Sequence, residues 1–432
     1  MYLADSRQSK SRASTNEAVA PDTRPGRRAA AIPGTVLALG AVSLVTDVSS
    51  EMVSAVLPLY VVAALGLSPL GFGLLDGINN GVGALVRLLG GHLADRGGSR
   101  HKAVAAVGYG LSAVCKPLLL LVHTLPLISG VLAVDRTGKG LRTAPRDAMI
   151  SLATAPEHRG RAFGVHRAMD TTGALLGPLL AFAILRLTVD GYDAVFAVSG
   201  CVAALGVLVL LLFVPGRVRE SEPAVRPTLR DAVVLLRRPA LRRLTLCAVL
   251  LGLTTVSDSF LYLLLQRELH LSAHLFPLLP LGTAAVFLLL AVPLGMLADT
   301  IGRRTLFLAG HGALLAGYGL VLTLHGPAVI PAVLLLHGTF YAATDGVLAA
   351  ATAGTVPADQ QGAGQALVGT GQALARFVCS LAFGALWSVW GGRTALAVTA
   401  TGLAVAALTA TALLRPDRSA PTDPTEDEVS AA

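Results

Sequence analysis

The chain has 432 residues, 53% of them hydrophobic and 14% charged, with a mean hydropathy of +0.67. That is too much apolar material for a soluble core under a charged skin, so a polytopic membrane protein is expected. The formal charge of +8 does not point to nucleic acid, because Lys and Arg sit in short clusters between apolar runs without interleaved aromatics.

Residues 1–33 are polar, rich in Ser and Arg and interrupted by Pro21, Pro25 and Pro33. With no secretory apolar region ahead of the first span, they read as a disordered tail. Stretches of about twenty apolar residues, the length that crosses the hydrocarbon, then occur twelve times. Six lie near 35–62, 71–93, 103–123, 127–151, 161–186 and 193–214, and six near 241–265, 274–298, 304–324, 328–352, 362–388 and 393–414. A basic linker, 215–240, separates the two sets, and a second tail begins at 415. Connections that follow even-numbered spans hold Arg96, Arg100, Lys102, Arg159, Arg161, Arg303 and Arg304, whereas those near Gly66, His123 and His325 hold almost no cations. The positive-inside rule then places both termini and the linker in the cytoplasm, with the chain in the cytoplasmic membrane. Cys115, Cys201, Cys247 and Cys379 all fall in apolar runs with no C-x-x-C spacing, which suggests packing rather than a disulfide framework or zinc site.

Several spans carry charges that cost at least ~2.5 to 3.5 kcal/mol each at mid-bilayer. In span 1, Asp47 and Glu51 stand at i and i+4, on one face with Ser50 and Ser54. Two readings are open: carboxylates neutralised by arginine for packing, or carboxylates that take up and release protons. Span 2 aligns Asp76, Asn80, Gly83 and Arg87 on a face that lines a cavity or the seam between bundles. Lys116, before Pro117 in span 3, is expected to snorkel outward. Span 4 carries Asp135, Lys139, Arg142 and Arg146 at i, i+4, i+7 and i+11, a cationic stripe that cannot face lipid and suits an anionic substrate group unless nearby acids neutralise it. Arg167 and Asp170 are possible partners at i and i+3 in span 5. The second half is poorer in charge, with Asp258, Asp345 and Arg376, joined by Tyr341, Gln365 and Gln372. Asp258 and Arg376 have an alternative role as a buried pair that fixes helix register. Proton coupling is therefore expected at Asp47, Glu51, Asp135, Arg136 and Asp170. Substrate contacts are expected at Lys139, Arg142, Arg146, Arg167, Asp258, Tyr341, Asp345, Gln372 and Arg376.

The loop Gly91-His92-Leu93-Ala94-Asp95-Arg96-Gly97-Gly98-Ser99-Arg100 has a twin in Gly295-Met296-Leu297-Ala298-Asp299-Thr300-Ile301-Gly302-Arg303-Arg304, so one unit occurs twice. These loops resemble the G-x-L-x-D-R-x-G-R-R signature of the major facilitator superfamily, with Ser99 and Thr300 where Arg is usual. Leu132-x-x-x-Arg136-x-x-Lys139-Gly140 resembles the superfamily's span 4 motif, whose arginine is implicated in proton transfer, with Lys139 in place of glutamine. Gly164, Gly173, Gly177 and Pro178 resemble part of the antiporter motif of the exporter branches, although Ala181 and Phe182 stand where a final glycine pair is usual. The resemblance implies an all-α membrane protein of twelve transmembrane helices in two pseudo-symmetric six-helix bundles, with alternating access to a midplane site. It also implies conformational roles for Gly91, Asp95, Arg96, Gly98, Arg100, Gly295, Asp299, Gly302 and Arg303, whose glycines would let helices approach closely. Gly173, Gly177 and Pro178 would let span 5 pack against span 8.

No H-E-x-x-H, G-x-S-x-G, Walker or Rossmann pattern is present, which argues against an enzyme, a metal, a cofactor or a nucleotide-driven pump. The expectation is a monomeric, proton-coupled exporter of a small organic molecule or drug, anionic or not, partnered by lipid, protons and substrate. Uptake by symport or anion exchange, and a non-transporting receptor or scaffold, are the alternatives.

Overall fold

Backbone N–H and C=O groups in hydrocarbon must be satisfied within their own segment, which favours helices for long apolar runs. The computed structural model describes residues 32–95, 101–155, 158–189, 191–216, 234–357 and 360–414, and all regular structure among them is helical. In the first half, α1 is Gly34–Leu59, α2 Pro69–Asp95, α3 His101–Leu118, α4 Leu125–Leu152, α5 Arg159–Leu187 and α6 Gly191–Phe213. In the second, α7 is Pro239–Gly252, α8 Asp258–Glu268, α9 Leu278–Ile301, α10 Arg303–Thr323, α11 Val329–Ala353, α12 Gln361–Trp390 and α13 Gly392–Leu413. Arg96, Gly98, Arg100, most of the basic linker and all but the innermost ends of the two tails lie outside the described residues.

Eight of these helices are long and apolar enough to cross a membrane: α1, α5, α6 and α9 to α13. The charges explain why α4 is not among them, since Asp135, Arg136, Lys139, Arg142, Arg146 and Asp147 crowd one helix. The seventh crossing, expected as one span over 241–265, is two helices. α7 ends at Gly252, and after a turn and a short extended stretch α8 begins at Asp258. Gly252 followed by Thr254, Thr255 and Val256 is a weak helical sequence, because glycine and β-branched residues lose the most on entering a helix. The third helix ends at Leu118, just past Pro117, short of the expected limit of 123.

Within the first half α1 packs on α5 and α6, α3 on α4 and α6, and α2 on α4. Within the second, α11 packs on α9 and α10, and α12 and α13 pack on α7. The halves touch along α2 and α12 and, more lightly, along α5 and α9. The first seam is built on glycine: a Cβ on Gly73 would lie 2.5 Å from the Ser380 carbonyl, and one on Gly384 2.6 Å from that of Pro69. Leu70 N donates to Ser388 Oγ at 3.0 Å. On the second seam, Arg186 Nη1 and His274 Nε2 are 3.4 Å apart and Phe182 stacks beside His274. Phe72 of α2, Phe260 of α8, and Phe383 and Trp387 of α12 interlock as buried rings, with Phe72 and Phe260 4.9 Å apart. These contacts all belong to the end where α2 and α9 begin and α5 and α12 finish.

Candidate functional site

Small residues bring α3 and α4 close enough to bury the charges of α4. A Cβ on Gly108 would sit 2.7 Å from the Gly138 carbonyl, and one on Gly140 2.5 Å from Val86 of α2. Lys116 Nζ therefore reaches Asp135 Oδ1 at 3.0 Å, with Arg136 3.7 Å from the other oxygen. This corrects the snorkelling expectation, since Lys116 is only 2% exposed. Two turns beyond Asp135, Arg142 Nη2 lies 3.8 Å from Asp47 Oδ1 of α1 and its guanidinium covers the Tyr109 ring at 4.5 Å. Arg146 meets Asp147 at 3.0 Å and Asp170 of α5 at 3.8 Å, and it donates to Ser43 Oγ, which in turn contacts His166 Nε2 at 2.9 Å. Arg167 reaches Asp170 at 3.5 Å but is otherwise exposed. Arg142 and Arg146 of the stripe are thus each met by an acid from another helix, whereas Glu51 turns its Cβ to Gly177 at the α1–α5 contact.

In the second half the break in the seventh crossing puts Asp258 at the start of α8, where a carboxylate is favoured by the helix dipole. Asp258 Oδ1 accepts from Tyr341 OH at 2.6 Å and lies 2.9 Å from His337 Nε2, both on α11. Asp258 is met by these two side chains rather than by the alternative partner Arg376, which sits over the Tyr341 ring at 5.9 Å. His337 is absent from the residues that sequence reasoning singles out. Its position at i−4 to Tyr341, on the same helical face, is the available signal. Asp345 is exposed one turn from Tyr341 on α11, while Gln372 lies against Gly252.

Between the halves are two adjoining cavities that share Asp76, Asn79 and Ser259. One, of about 100 Å³, continues to Ser257, Asp258, Tyr341 and Arg376, and the other, of about 60 Å³, continues to Asp135 and Arg136. Asp76 Oδ2 accepts from Ser380 Oγ of α12 at 2.5 Å, so the polar face of α2 serves both cavity and seam. The side chain of Arg87 on that face lies outside the described residues. Arg136 Nε, Arg376 Nε and Ser257 Oγ are buried around these cavities without a protein hydrogen-bond partner. Such donors favour a polar ligand.

The expected glycine roles divide. Gly173 and Gly177 do make close contact, but with α1: Gly173 abuts the Leu44 carbonyl, and a Cβ on Gly177 would lie 2.8 Å from that of Val48. Pro178 is buried beside them. Helix α5 does pack against α9, as expected of spans 5 and 8, but the nearest neighbours of these two glycines are on α1. Gly295 has open space around it rather than a close neighbour. Gly302 turns the chain from α9 into α10 with φ +90, a left-handed conformation suited to glycine. Asp299 and Arg303 are 3.9 Å apart on an exposed surface, and Gly91 and Asp95 close α2. Of the cysteines, Cys201 is exposed and the other three are buried.

A family model described as Major Facilitator Superfamily matches residues 39–265 and, separately, 244–431. An uncharacterized MFS-type transporter of Methanocaldococcus jannaschii is 29% identical over 283 residues, 64% of this chain and 69% of that one. Among solved structures, a variant of the nucleoside transporter NupG superposes with a TM-score of 0.76 at 14% identity, covering 88% of this chain and 100% of the other. A bacterial homolog of the human lysosomal transporter Spinster, inward-facing and unoccupied, gives 0.74 at 16% identity, covering 90% and 98%.

Proposed function

Since the chain belongs to the Major Facilitator Superfamily, a family of membrane transporters, we propose that it is a secondary active transporter that exports a small organic molecule bearing an anionic group in exchange for protons. The observation that carries this reading is the pair of cavities between the halves, with Arg136 from one half and Arg376 from the other each holding a buried, unpartnered Nε beside them. Guanidinium forks suit carboxylate or phosphate. The joined ends of α2, α5, α9 and α12 are the extracytoplasmic side by the distribution of basic loops, and the state is open to the cytoplasm. Asp47, held by Arg142 and near Asp170, is the proton carrier, and Asp135 and Arg136 link it to the substrate cavity. The turns at Asp95 and Asp299 meet when the cytoplasmic side closes, which gives Gly295 the close neighbour it lacks here. Uptake on the α4 cations is less well supported, because Arg142 and Arg146 already face acids.

In proteoliposomes loaded with a panel of small organic anions, an imposed pH gradient is expected to drive at least one of them, and Asp47→Asn to remove that dependence. Flux indifferent to the gradient in the unaltered protein contradicts the proton coupling.

A further inference from the structure

A cationic feature outside the central site lies at the opposite end of the second half from the aromatic seam. There α7 and α10 begin and α11 and α13 finish around a cavity of about 250 Å³. Its rim carries Arg243, Arg303 and Arg304, and its wall is apolar, with Phe307, Val347 and Leu348 each less than 9% exposed. Among the described residues that line it there is no carboxylate, although Asp299 lies 3.9 Å from Arg303 at its edge. Part of the charge serves the fold, since Arg303 Nη1 donates to the Ala350 carbonyl at 3.0 Å and Arg304 Nη2 to that of Thr411 at 2.6 Å, closing the ends of α11 and α13. Arg243 is engaged in the fold as well, but a guanidinium has five N–H donors, so such bonds leave others for a ligand. Three charges above an apolar pocket make an amphipathic site, and an inorganic anion would use only its rim. The helix ends also set its depth, because Arg303 is the first residue of α10 and Leu414 follows the last of α13, at the level where lipid phosphates lie.

We propose that this cavity binds an anionic phospholipid of the surrounding bilayer, its phosphodiester held by Arg243, Arg303 and Arg304 and the first part of an acyl chain lying on Phe307, Val347 and Leu348. The inference stands apart from the direction and coupling of transport, since it requires only that the protein sits in a membrane. The lipid would tie together the ends of four helices.

The test uses the full chain in a neutral detergent and follows its thermal unfolding midpoint against added short-chain phosphatidylglycerol, short-chain phosphatidylcholine or inorganic phosphate. Phosphatidylglycerol is expected to raise the midpoint saturably and phosphatidylcholine to leave it nearly unchanged. Arg243→Gln is expected to raise the half-maximal lipid concentration about ten-fold, the loss of one charge-assisted contact. Val347→Trp, which fills the cavity and spares the cations, is expected to remove the saturable shift, and each variant is read against its own lipid-free midpoint. Equal responses to the two lipids, an unaltered response in Arg243→Gln, or inorganic phosphate alone giving the whole shift would overturn the assignment. So would a response seen only after truncation beyond Leu414, which would identify the acidic tail around Asp427 as the occupant.

Discussion

Lys116 shows most plainly how a single charge is tolerated in hydrocarbon. Its ammonium is 3.0 Å from Asp135 and both side chains are buried, so removing Lys116 leaves the carboxylate with only Arg136, 3.7 Å from its other oxygen. Lys116→Met is expected to cost about 3 to 5 kcal/mol, seen as a lower thermal midpoint in detergent. Lys116→Met with Asp135→Asn is expected to recover part of that loss, and an unaltered midpoint in the single variant would deny the pair any structural weight. The sequence exposes both residues but not their pairing, because the pairing depends on the close approach at Gly108 and Gly138. His337 is hidden for the same reason, as its carboxylate partner is in another helix. By contrast, the stripe of α4 is legible from spacing alone, since helical geometry fixes which residues share a face.

At the scale of the helix, glycine contacts separate what this state uses from what it leaves open. Gly177 is closed in by Glu51, Val48 and Met52, whereas Gly295 has free space. Gly177→Val is therefore expected to cost about 1 to 3 kcal/mol by overpacking, while Gly295→Val leaves the thermal midpoint unchanged. Equal effects at the two sites would mean that the α1–α5 contact is looser than described. The apolar runs are enough to locate most helices, because twenty such residues in hydrocarbon have few other options. They do not reveal the break before Asp258, where hydrophobicity continues through Val256 and only a cluster of glycine and β-branched residues marks the interruption. The partner of Gly173 and Gly177 is also out of reach, since a motif names the small residues of a helix and not the surface they meet.

For the whole molecule, alternating access requires a second arrangement in which the contacts that join the halves along α2 and α12 exchange. With the native cysteines replaced, Leu70→Cys and Ser388→Cys are expected to cross-link in this state, and the cross-link is expected to stop transport while reduction restores it. A cross-linked protein that still transports would mean that the α2–α12 seam need not open. Two-fold architecture is legible because the loop sequence occurs twice, whereas which end is closed depends on side chains such as Phe72 and Trp387 that carry no such mark in the sequence.

The most direct measurement is a pair of distance distributions from spin labels, one pair across the outer seam at Leu70 and Ser388 and one across the inner mouth at Gly160 and Thr300, each recorded at about pH 5.5 and 8. Protonation of a carboxylate such as Asp47 that faces fixed cations changes the balance between states, so the two distributions are expected to shift with pH in opposite senses, the outer pair separating as the inner pair closes. A single distribution at each pair, unmoved by pH, would contradict proton-linked alternating access in this protein.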